Sequence, residues 1–180
     1  MSTITVKELA APTGFDLKIA ANETLDLKSQ GTVTMPAGST LAVYEDTHAT
    51  EGVFQTTSWT DASLAITLTP KSASSKFFCT WSLQALFEGG NSGMGTRIIR
   101  TIGGSETVVY TSAVGYDLYT ADTAEGNRLR ATYNALDTPN STSSMTFKVQ
   151  IRTNASNAAG QITLNDSSNP TSFHIWEVQG

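Results

Sequence analysis

Apolar and polar residues alternate with a period of two along most of this chain. Phe77, Cys79, Trp81, Leu83, Ala85 and Phe87 form the longest such run. Met145, Phe147, Val149 and Ile151 repeat the pattern, with Thr146, Lys148, Gln150 and Arg152 on the other face. Leu64, Ile66 and Leu68 do the same before Pro70, and Leu129, Ala131, Tyr133 and Ala135 do so later. The final run sets Phe173, Ile175 and Glu177 opposite His174, Trp176 and Val178. Leu41 with Val43, and the pairs Ile98-Ile99 and Val108-Val109, complete the set. A period of two places successive side chains on opposite faces of a strand, so one face meets a core and the other water.

Turn-forming residues separate these runs: Gly89-Gly90-Asn91-Ser92-Gly93, Gly103-Gly104-Ser105 and Thr138-Pro139-Asn140-Ser141. The spacing predicts about eight or nine antiparallel strands in a β-sandwich or jelly roll over residues 40–180. Ala121 to Gly126 could close one helical turn, but no apolar residue follows at helical spacing.

Residues 1–39 have a different texture. Phe15, Leu17 and Ile19, then Leu25 and Leu27, then Val33 and Met35 alternate in short segments, each with two or three apolar side chains. So thin a layer cannot close its own core. It calls for shelter from identical chains around a symmetry axis or from a larger body. The expected organisation is an attachment or trimerisation β-arm over 1–39 and a jelly-roll head over 40–180, joined at Pro36-Ala37-Gly38.

Composition agrees with β-structure. Only 15% of the 180 residues are charged, against about 25% in ordinary domains. Thr, Ser, Asn and Gly take their place and disfavour helix. The net charge of −5 repels phosphate backbones and argues against nucleic-acid binding. The single cysteine, Cys79, sits among Phe77, Phe78 and Trp81 and reads as a core thiol, with no disulfide framework. Met1 to Glu8 lacks a signal-peptide pattern, and no run approaches the roughly 18 apolar residues of a membrane span. Synthesis in a cytoplasm without membrane insertion is expected.

No catalytic, cofactor or metal site emerges. His48 and His174 have no ligand spacing around them. Gly89 to Gly95 lacks the Lys-Ser/Thr ending of a phosphate loop and, lying between two strands, reads as a long hairpin loop. Glu45, Asp46, Glu51, Asp122 and Glu125 read as solvated charges rather than paired glycosidase carboxylates. The four Asn-x-Ser/Thr matches follow from composition. Trp59, Tyr110, Tyr116, Tyr119 and Trp176 do not all fit inward positions; they suit sugar stacking, a protein contact, or burial in a core or trimer interface.

Ser2 to Leu9, Leu25-Asp26-Leu27 and Gly31 to Ser39 resemble the N-terminal region of small virion fibre and appendage proteins of tailed bacteriophages, notably phages of marine bacteria. Ser63 to Lys76 is similar to the start of their jelly-roll tip. The resemblance implies a homotrimer on the outside of a virion. Its N-terminal region would contact capsid or tail proteins, and a jelly-roll head would face outward as a capsid decoration or short fibre. The alternative it leaves open is a tail-fibre tip that binds a host receptor or surface glycan. It implies no catalytic residues and no cofactors.

Overall fold

The computed structural model describes residues 35–88, 91–113, 116–121, 126–154, 160–166 and 169–180. The expected N-terminal arm falls outside them up to residue 34, as do Asp122 and Glu125. The described body is all-β, with eleven strands: β1 (Thr40–His48), β2 (Gly52–Phe54), β3 (Thr60–Leu68), β4 (Lys76–Phe87), β5 (Ser92–Ile102), β6 (Ser105–Thr111), β7 (Leu118–Thr120), β8 (Asn127–Asp137), β9 (Met145–Thr153), β10 (Ile162–Leu164) and β11 (Thr171–Val178). No α-helix occurs among the described residues.

All pairings are antiparallel. In the first sheet, β4 carries β8 on one side and both β11 and β10 on the other, end to end. Outside these, β1 pairs β11 and β2 pairs β10. Two strands thus share each of the two positions beyond β4 on that side, and the sheet is four strands wide: β8, β4, β10/β11, β1/β2. The second sheet is built the same way, as β3, β9, β5 and then β6/β7 end to end. Eight strand positions, divided four and four in this order, make a jelly roll.

The core forms where the period-two runs of the two sheets meet. Phe77, Cys79, Trp81, Leu83, Ala85 and Phe87 of β4 face Leu64, Ile66, Leu68, Met145, Phe147, Val149 and Ile151 of β3 and β9, all buried. Phe77 and Phe147 touch across the gap, with ring centroids 5.7 Å apart. Buried polar groups tie the layers together. Trp81 Nε1 donates to Thr96 Oγ1 at 3.0 Å. Glu177, wholly buried, accepts from Tyr44 at 3.0 Å, from Ser75 at 2.6 Å and from the Lys71 backbone at 2.5 Å. Arg100 and Asp137 form an ion pair between β5 and β8. At one edge Asp46 of β1 accepts the Ala65 N–H of β3 at 2.8 Å, capping a group that an edge strand leaves open.

Two sequence expectations change. The Gly-rich break does not extend to Gly95: β5 starts at Ser92, and Gly93 and Gly95 are ladder residues. Val43 does not join the core; it points outward and is 56% exposed. Gly103 and Gly104 are the turn they resemble. Both have positive φ (56° and 86°) and join β5 to β6 in a two-residue hairpin, the geometry that glycine supplies without strain.

Candidate functional site

The strand register gives the molecule one polar-loop end. Phe54, Ile162, Phe87 and Asn127 lie in one row at the edge of the first sheet. The β2–β3, β4–β5, β7–β8 and β9–β10 connections therefore leave from the same end. Here β5 presents Gly93, Gly95 and Arg97 on the outer face of the second sheet.

Three segments build a ledge over that face. Between β6 and β7 the chain stays on β5 through Ser112 N–H to Thr96 O (3.0 Å) and Asp117 N–H to Met94 O (2.8 Å). This brings Tyr116 onto Gly93 so closely that a Cβ there would lie 2.9 Å from the Tyr116 ring. Tyr119, opposite Gly93 in the ladder, stacks on Tyr116 with centroids 5.1 Å apart. Its hydroxyl donates to Asn91 Oδ1 at 2.8 Å. Asn154 locks the turn beneath: its Oδ1 accepts the Gly93 N–H and its Nδ2 donates to Asn91 O, both at 2.7 Å.

One step along β5, Arg152 stands opposite Gly95. Thr153 holds the β2–β3 loop through Thr56 O, at 2.8 Å from its N–H and 3.1 Å from its hydroxyl. That loop lays Trp59 over two guanidiniums, 4.6 Å from Arg152 and 4.8 Å from Arg97, a cation–π arrangement. Burial and the like charge of Arg152 pull Arg97 below the ordinary guanidinium pKa, against Glu106 and Asp61. Burial works against an ionised Asp61, but hydrogen bonds from Gln150 (2.6 Å) and Lys148 (3.0 Å) outweigh it, and its carboxyl stays below the usual range.

A second surface lies on the outer face of the first sheet. Val43 pairs with Trp176, Trp176 with Phe78, and Phe78 with Leu136. These four form one apolar row across all four strands. Val43, Phe78 and Leu136 are 56%, 42% and 61% exposed, and Phe78 and Trp176 touch at 6.0 Å. The adjoining row is polar: Glu45, His174, Thr80 and Asn134.

The aromatic residues singled out in the sequence thus separate. Trp59, Tyr116 and Tyr119 share the loop-end ledge. Trp176 lies on the opposite sheet. Tyr110 turns inward onto Trp81 at 5.2 Å and Tyr133 lies near both. Burial raises the Tyr110 and Tyr133 hydroxyl pKa values, and Asp117 adds to both. His48 and His174 come to neighbouring strands but face opposite sides, and His174 lies 3.7 Å from Glu45. Glu51 is exposed beside β2. Among the described residues no three His, Cys, Asp or Glu gather as metal ligands, and no helix is long and apolar enough to cross a membrane. Sequence reading missed Phe78 and Leu136 as a row, because only register aligns residues from four strands.

No protein family's sequence profile matches the chain, and no curated protein matches it in sequence. Among solved structures it is similar to the Gx strain of infectious bursal disease virus, at 16% identity and TM-score 0.38, over 88% of this chain and 42% of that one. The T13 particle of the same virus gives 16% identity and TM-score 0.39, over 86% and 39%. The C-terminal domain of EclA, a sugar-binding protein, gives 15% and 0.27, over 86% and 89%. The chain spans about two fifths of the viral chains it matches.

Proposed function

We propose that this protein is a non-catalytic structural component of a bacteriophage virion: a homotrimeric surface appendage, either a capsid decoration or a short head or tail fibre. The observation that carries the reading is the apolar row Val43–Trp176–Phe78–Leu136 across the outer face of the first sheet. Among the described residues of one subunit, Val43, Phe78 and Leu136 face water. Contiguous exposed apolar side chains on a flat face mark surfaces that meet other proteins. The thin apolar patterning of residues 1–39 points to shelter by neighbouring chains and supports attachment to capsid or tail proteins through that region. The phage setting rests on the resemblance of these same residues to virion appendage proteins. Made in the host cytoplasm, the protein would take its place on the particle exterior.

Sedimentation equilibrium of the full-length chain tests this. A mass of three chains at micromolar concentration is expected; a single-chain mass contradicts it. A second role, recognition of a host receptor or glycan by the loop end, is supported by the Tyr116–Tyr119 stack and coexists with the first.

A further inference from the structure

The loop-end ledge is on the sheet opposite the apolar row, so assembly through that row gives it no use. We propose that it binds an acidic oligosaccharide, one sugar ring lying on Tyr119 and a neighbouring uronic or sialic carboxylate reaching the guanidiniums of Arg152 and Arg97. This rests on the recognition role and names its ligand.

Three features carry the proposal. Tyr119 is 43% exposed and its ring is stacked on Tyr116, which rests on the bare backbone of Gly93. A ring held in this way loses little freedom when a ligand covers it, and aromatic faces stack against the C–H faces of sugars. At its edge the Asn91 carboxamide accepts from the Tyr119 hydroxyl, and its N–H₂ group adds donors of the kind that meet sugar hydroxyls. Tyr119 on β7 and Arg152 on β9 flank β5, two strand spacings of about 5 Å each across the sheet and a step of about 7 Å along it. An oligosaccharide covers that span; a single ring does not.

The charge at this step selects the ligand. Two guanidiniums under one indole are concentrated positive charge on a chain of net −5. Guanidinium forks match carboxylates in shape and charge. Asp61 and Glu106 offset part of the charge on Arg97, and Arg152 shares the indole with it from its place opposite Gly95. Single-stranded nucleic acid could use the same ring and arginines, but a polyphosphate would meet the repulsion of an acidic protein.

The test is an array that displays uronic- and sialic-acid oligosaccharides, neutral oligosaccharides of equal length and a single-stranded oligonucleotide, probed with the full-length protein. Signal on the acid-bearing sugars is expected. It should fall by about tenfold or more in Tyr119→Ala and in Arg152→Gln. Gly93→Ala, which displaces Tyr116 without touching either residue, should reduce it as well. Melting temperature and assembled mass, unchanged in Tyr119→Ala, show that folding is intact. Equal binding of neutral sugars, or preference for the oligonucleotide, overturns the acidic ligand and leaves recognition standing. Acid-specific binding that survives both side-chain variants overturns the site. No binding to any sugar overturns the ligand together with the glycan form of the recognition role.

Discussion

Glu177 is the residue whose chemistry departs furthest from its surroundings. It occupies an inward position beside Phe173 and Ile175, where its three donors supply the partners that a buried carboxyl group needs. Glu177→Ala would strand the Tyr44 and Ser75 hydroxyls and the Lys71 N–H. A loss of about 3 kcal/mol or more is expected in urea unfolding. Tyr44 gives the same contact a pH signature. Burial first, then the Glu177 hydrogen bond and charge, push its pKa from 10.0 to about 12. The folded value lies above the unfolded one, so the contribution is complete below pH 10 and is lost as pH rises from 10 toward 12. Phenolate absorbance should show Tyr44, Tyr110 and Tyr133 titrating late, and one fewer late-titrating tyrosine in Tyr44→Phe. Burial also raises the Cys79 thiol pKa. A thiol reagent should leave the native protein unlabelled and react fully after unfolding; prompt labelling would place Cys79 outside the core.

At the scale of elements, the sequence was legible where a strand is long and half-buried. β4, β9 and β11 repeat every second residue, and each inward residue predicted from that period is inward: Phe77 to Phe87, Met145 to Ile151, and Phe173 with Ile175 and Glu177. The three-residue strands β2, β7 and β10 were not foreseen. They carry too few residues to show a period, and they exist because β4, β5 and β10 offer ladder positions to β10, β7 and β2 in turn. The start of β5 was misread because glycine usually marks a break. At Gly93 the lack of a side chain instead makes room for Tyr116, and nothing local in the sequence reveals that. The aromatic candidates were legible as residue types; their division between two surfaces was not, since it depends on non-local pairing. The β5–β6 hairpin offers a test at this scale. Gly103→Ala and Gly104→Ala each force a side chain into positive φ. Each should cost about 1 kcal/mol in thermal unfolding, whereas no change would mean that the turn adopts another form.

At the scale of the molecule, the two outer faces of the sandwich differ. One carries a bare apolar row flanked by polar residues. The other carries rings and guanidiniums over a glycine floor. The first suits contact between copies of the chain, and the second suits recognition. A jelly roll permits this division because it has two broad, independent sheet faces around one core. Substitution on either outer face should leave folding intact, since Phe78 and Leu136 contribute little to the interior. The most direct test is the solution mass of the double variant Phe78→Asp with Leu136→Asp beside the parent chain, with circular dichroism confirming the same fold. The account predicts three chains for the parent and one for the variant. Equal masses for the two would show that the apolar row is not where copies meet.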